Sequence, residues 1–133
     1  DAPHAVTALA SQLLAAIGEV VILDDEGLMD AVTAVSGSGP AYVFLLAETM
    51  TAAGIKAGLP EKLAKQLAEA TVAGAGALIA DSDEPPSQLR VNVTSKGGTT
   101  AAALAVLMAD DGMGPLLERA IRAARDRSVE LAG

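Results

Sequence analysis

The sequence predicts a mainly all-α fold: a bundle of about six helices with one short strand near its N-terminus. Three observations carry that prediction. Apolar residues recur at helical spacing over most of the chain. Proline and glycine punctuate those recurrences where helices start and stop. Hydrophobic residues fill 51% of the 133 positions, yet aromatic ones fill only 2%, with no Trp, one Tyr and one Phe. A core of Ala, Val, Leu and Gly has thin side chains, so its helices must cross closely to reach the density of protein interiors.

Residues 3–17 carry apolar side chains at Val6, Leu9, Leu13, Leu14 and Ile17, between Pro3 and Gly18, and read as a helix. The next five residues, EVVIL at 19–23, are rich in β-branched side chains and end at DDEG, which reads as a short buried strand. A lone strand leaves its NH and CO groups unpaired, so this one asks for an upstream sheet or a partner chain. Residues 26–35 form a short helix ending at SGSG, and Pro40 opens the next, which closes at Gly58. Pro60 opens a third. Its first half is amphipathic, with Leu63 and Leu67 expected inward and Glu61, Lys65 and Glu69 spaced for i,i+4 pairing. From Ala70 to Ala80 it is small or apolar all round except at Thr71, and a helix of that kind is covered on every side, here by another subunit. Its glycines, in VAGAGALI, mark a helix crossing. Residues 85–94 read as a short helix, 99–111 as a clear one ending at Gly112, and 114–131 as the last. The last sets Leu117, Ile121, Ala124 and Leu131 on one stripe, with arginines opposite.

Composition excludes several function classes. The formal net charge of −8 repels phosphate backbones, and no basic, aromatic-interleaved stretch offsets it, so nucleic acid is not an expected partner. Apolar runs such as 72–80 fall short of the ~20 residues of a membrane span, and DAPHAV lacks the basic and apolar regions of a secretory signal. Without Cys there is no disulfide framework or thiolate metal site, and a cytoplasmic protein is the expectation. The only histidine, His4, lies near the N-terminus, which argues against a Ser-His triad or a His-based metal centre; no metal site is expected. Asp81 and Asp83 begin like a calcium loop, but Pro86 and Asn92 stand where Gly and Glu are needed. SGSGPAY and GAGALI each lack the last glycine of a dinucleotide fingerprint.

What remains is NVTSKGGTTAAALAVL at 92–107. A helix entrance exposes NH groups and the positive end of the helix dipole, which together hold anions. Gly97 and Gly98 allow close approach of a carboxylate to the NH groups of residues 98–100, and Ser95, Thr99 and Thr100 add hydroxyls. The plainer alternative is that Ser95 or Thr99 caps the helix. SGSGPAY likewise has a plain reading, with Ser38 or Gly39 as cap and Pro40 in the first turn.

AVSGSGPAYVF, AGLP and QLRVNVTSKGGTTAAAL together resemble the C-terminal portion of the pyrroline-5-carboxylate reductase family, and the resemblance covers essentially the whole chain. That family reduces 1-pyrroline-5-carboxylate to L-proline with NADPH or NADH. The resemblance implies that residues 1–24 are the last helix and strand of a Rossmann domain, and 25–133 a helical domain forming an intertwined dimer or, further assembled, a decamer. The chain would then be a piece of a longer reductase and inactive alone, the cofactor being held mainly by the domain upstream. It also implies site roles. Ser95, Gly97, Gly98, Thr99 and Thr100 would hold the substrate carboxylate, with Thr100 reaching the ring nitrogen as the catalytic contact. Asn92 and Val93 would lie near the nicotinamide, and Ser36, Ser38, Gly39 and Pro40 would support the pocket wall. Two departures from the family pattern bear on affinity: Lys96 replaces a usual Pro, and Val91 a commonly acidic residue. The competing readings are an oligomerisation module with no ligand site and the helical domain of a related imine or hydroxy-acid reductase.

Overall fold

The computed structural model describes residues 4–133. Its elements in order are α1 (His4–Leu14), a 3-10 turn (Glu26–Leu28) running into α2 (Met29–Val32), a π turn (Thr33–Gly37), α3 (Gly39–Lys56), α4 (Glu61–Asp81), α5 (Pro86–Asn92), α6 (Thr99–Leu107) and α7 (Met113–Ala132). Six of these helices exceed a single turn, so the expected all-α architecture stands. Pro3, expected to open the first helix, lies outside the described residues. No helix is long and apolar enough to cross a membrane among the described residues.

The strand expected at 19–23 does not form among the described residues. Those residues make no ladder bonds, and Val21 and Ile22 face solvent at 74% and 60% exposure. A strand is defined by its neighbour, and the described residues offer none. The break expected at SGSG is also absent. Helical backbone continues from Met29 to Lys56 through the π turn, where the Ser38 amide donates to the Thr33 carbonyl five residues back at 2.9 Å. Pro40 explains the widening: it donates no NH, and its ring would press on the carbonyl four residues earlier in an ordinary α-turn. The shift deprives the Ala34 carbonyl of its amide partner. The hydroxyl of Tyr42, the only tyrosine, replaces it at 3.0 Å.

Packing divides the chain into two local clusters. α3 and α4 form an antiparallel hairpin, closed through Gly58 at φ +104. A Cβ placed on Gly54 would stand 3.3 Å from the Ala64 Cβ, so the two axes approach as closely as small residues permit. This corrects the expectation for α4. Ala64 and Ala68 are buried at 3% and 4% exposure, whereas Leu63 and Leu67 stay exposed. The hairpin selects the face that lets the backbones meet, and larger side chains flank it. In the second cluster α7 packs on α2 and the π turn, burying Ala34 completely, and the Ser128 hydroxyl donates to Asp30 Oδ1 at 2.6 Å. On the α7 stripe Ile121 and Ala124 are half-buried, but Leu131 is 71% exposed.

These clusters leave most of the apolar surface uncovered. Ala34, Ala64 and Ala68 are the buried residues among those described. The accessible surface is 10433 Å², whereas a compact monomer of 13.2 kDa exposes about 6,400 Å². Towards its C-terminal end α4 lies open: among the described residues no atom comes within 4 Å of a Cβ built on Gly74 or Gly76, and Leu78 and Ile79 are exposed. The crossing those glycines mark is not made among the described residues.

Candidate functional site

The loop between α5 and α6 is built by its glycines and by local hydrogen bonds. Pro86 in the first turn starts α5, and the helix ends as the Val93 and Thr94 amides donate to Leu89 and Val91. The Thr94 hydroxyl donates back to the Arg90 carbonyl at 2.6 Å and fastens that end. Gly97 then takes φ +71, a left-handed conformation that strains any other residue. Gly98, extended at φ −81 and ψ 178, becomes the N-cap of α6. Its amide donates to the Ser95 carbonyl at 3.1 Å, closing the turn, and its carbonyl accepts from Ala102 at 3.2 Å. A side chain at 98 would strike the Ser95 hydroxyl.

No side chain caps α6. The reading in which Ser95 or Thr99 serves as cap is therefore set aside by the geometry. The amides of Thr99, Thr100 and Ala101 have no acceptor among the described residues. Thr100 is half-buried, whereas Ser95 and Thr99 are exposed. Three unpaired NH groups, a helix dipole and two or three hydroxyls make an entrance suited to a carboxylate. Ser38 likewise precedes α3 without a side-chain capping bond, so its hydroxyl is not spent on the helix.

Asn92 is braced on both sides of its amide. Its Nδ2 donates to Glu84 Oε2 at 2.7 Å, and its Oδ1 accepts from Gln88 Nε2 at 2.8 Å. The Gln88 contact follows from i,i+4 spacing on α5 and was open to sequence reasoning. Glu84 reaches back across the Pro85-Pro86 turn, which no periodicity reveals. Val93 is 64% exposed beside it. Lys96 has no ion-pair partner among the described residues, and Val91 is 57% exposed.

Residues 92–100 therefore form one continuous candidate region. Ser36, Ser38, Gly39 and Pro40 form another, at the π turn and the start of α3. Among the described residues neither α5 nor α6 packs extensively on that turn, so this chain alone does not build the two regions into one pocket. Tyr42, which holds the turn through the Ala34 carbonyl, was not singled out from sequence. Its signal is present in hindsight: a lone tyrosine two residues after a helix-interior proline.

A family model described as pyrroline-5-carboxylate reductase dimerisation matches residues 26–131. The pyrroline-5-carboxylate reductase of Pseudomonas aeruginosa is 50% identical over 123 residues, covering 92% of this chain and 45% of that protein. That of Synechocystis is 48% identical over 124 residues, covering 93% and 46%. The chain thus spans about half the length of the curated relatives it matches. Among solved structures, a pyrroline-5-carboxylate reductase from Coxiella burnetii superposes with a TM-score of 0.91 at 36% identity, over 98% of this chain and 48% of that one. The Plasmodium falciparum pyrroline carboxylate reductase, solved with NADP bound, gives 0.84 at 32% identity over 100% of this chain and 53% of that one. The glycine-built loop and the helix it feeds lie inside the matched span, and on that match the chain belongs to the pyrroline-5-carboxylate reductase dimerisation family.

Proposed function

We propose that this chain supplies the oligomer interface and the substrate-carboxylate site of an oxidoreductase that reduces 1-pyrroline-5-carboxylate to L-proline, the last step of proline biosynthesis, in the cytoplasm. The observation that carries the site is the α6 entrance. Left-handed Gly97 and extended Gly98 turn the amides of Thr99, Thr100 and Ala101 outward with no acceptor of their own. In this reading those amides and the Ser95 and Thr99 hydroxyls receive the substrate carboxylate. The half-buried Thr100 hydroxyl reaches the ring nitrogen. Hydride addition to a protonated imine yields the amine directly, so the protein needs no nucleophile. It orients the two ligands and compensates one carboxylate, and both effects can supply much of an acceleration.

The interface half of the proposal rests on the uncovered surface. An excess of about 4,000 Å² over a compact monomer, much of it apolar, is explained if a second copy covers it. A homodimer is the commonest closed assembly, and a decamer of dimers would be a further step. The family match begins at residue 26, which supports dividing the chain into 1–24, the last helix and strand of a Rossmann domain, and 25–133, the helical domain. NADPH or NADH would supply the hydride and would be bound mainly by the Rossmann domain. On this side Asn92, held by Glu84 and Gln88, and Val93 would face the nicotinamide. Ser36, Ser38, Gly39 and Pro40 would support the pocket wall.

The test is an amide NMR titration of the 133-residue chain with L-proline, run beside Thr100→Ala. Shifts confined to residues 95–101 and weakened by the substitution are expected. In the full-length reductase, Thr100→Ala should lower kcat/KM by roughly 10- to 150-fold, the cost of one hydrogen bond of about 1.5–3 kcal/mol to a charged group. Unchanged binding and unchanged kcat/KM would leave an oligomerisation module without a ligand site.

A further inference from the structure

The π turn is the joint between the two packing clusters. α7 packs on the turn and on α2 before it, and α4 packs on α3 after it. The winding of the backbone from Thr33 to Gly39 therefore sets the phase of one cluster against the other. Each residue of an α-helix advances about 100° around the axis, so a turn one residue tighter would swing Asp30 and Ala34 away from α7. Both residues record the winding that the chain adopts: Ala34 is fully buried, and Asp30 accepts from Ser128 at 2.6 Å. Pro40 excludes the tighter turn, but it does not specify which wider one forms. That choice falls to Tyr42, which is half-buried and donates its hydroxyl to the Ala34 carbonyl at 3.0 Å. In a tighter turn the Ser38 amide would take that carbonyl, so the hydroxyl selects the wide form.

The same turn carries an unspent hydroxyl. Ser38 is half-buried, and its side chain makes no capping bond to α3. Its amide, by contrast, is tied to the Thr33 carbonyl at 2.9 Å, so the direction of the side chain follows from the winding of the turn. We propose that Tyr42 is a positioning residue of the reductase: by holding the Ala34 carbonyl, it fixes the winding that aims Ser38 at the substrate. This rests on the reading of residues 36–40 as a wall of the substrate pocket, and it says what shapes that wall. Tyr42 itself touches no ligand, because its one hydroxyl hydrogen is committed to Ala34.

The test uses the full-length reductase, at a temperature where circular dichroism shows parent and variants folded alike. Tyr42→Phe removes only the hydroxyl. It should raise KM for 1-pyrroline-5-carboxylate roughly 3- to 10-fold, the effect of one ordinary hydrogen bond, and move KM for NADPH by less than about twofold. Ser38→Ala should raise the same KM by a similar factor. The double variant should be no worse than either single one, because both changes remove the same contact. A substrate KM that stays put in Tyr42→Phe would overturn the proposal and leave Tyr42 a structural residue. Equal rises in both KM values would do the same, since they report general loosening. So would factors that multiply in the double variant, which mark two independent residues. Ser38→Ala keeps the bond to Ala34 and decides even where Tyr42→Phe fails to fold: an unmoved substrate KM there sinks the idea. Thr100→Ala separates this proposal from the reading beneath it. If that variant loses kcat/KM while Tyr42→Phe does not, Tyr42 alone is wrongly assigned; if neither loses it, the pocket reading falls too.

Discussion

Gly97 and Gly98 are adjacent and chemically identical, but the backbone uses them differently. Only Gly97 takes a left-handed φ, and open space surrounds it. Gly97→Ala should therefore cost about 1–2 kcal/mol through backbone strain, measured by chemical denaturation. At Gly98 the backbone is ordinary and the main obstacle is the Ser95 hydroxyl, with the Ser95 carbonyl close beside it at 3.3 Å. Gly98→Ala should shift stability by less than about 1 kcal/mol, because an exposed serine can rotate away. It should nevertheless weaken L-proline binding in the NMR titration, since Ser95 is displaced from the entrance. Tyr42→Phe leaves the carbonyl of the fully buried Ala34 without its donor. Its expected cost is about 1–3 kcal/mol, read from the denaturation midpoint. The glycine pair and the hydroxyls around it were visible in the sequence as a candidate site. Which glycine bears the strain, and that Gly98 itself is the cap, depend on φ and ψ values that composition does not encode.

Helix existence was readable along most of the chain because Pro, Gly and apolar spacing agree with one another. The misreadings occur where a partner decides. EVVIL has the composition of a strand, but pairing is not a property of five residues, and 19–23 stay unpaired here. Leu63 and Leu67 were assigned inward by hydrophobicity, whereas the hairpin buries Ala64 and Ala68 because Gly54 stands opposite. Size, not hydropathy, chose that face. Gly54→Val would push a branched side chain toward Ala64 and Leu59, whose nearest atoms already lie 3.3 and 3.4 Å from a Cβ. Overpacking of this kind should cost about 1–3 kcal/mol and shorten the protected stretch of α4 in hydrogen exchange. The π turn was equally hidden. Ser-Gly-Ser-Gly suggests a break, and only the downstream Pro40 and Tyr42 explain why the helix widens and continues.

Taken entire, the chain has helices without a core large enough to hold them. Much of the second half of α4, Phe44 and Val106 on α6 stay exposed among the described residues. If a second copy covers them, the melting temperature should rise by roughly 2–3 °C for each tenfold increase in protein concentration. A melting temperature independent of concentration would show that the helices are stable alone. The burial of no more than three alanines among the described residues also bears on time. Helices form within about a microsecond, but the step that secures them would have to await a collision between chains. Refolding would then be second order and slow when dilute. Two assembled copies could not trade places without each first losing its fold, so a pair made from one batch of chains would remain that pair for as long as unfolding takes.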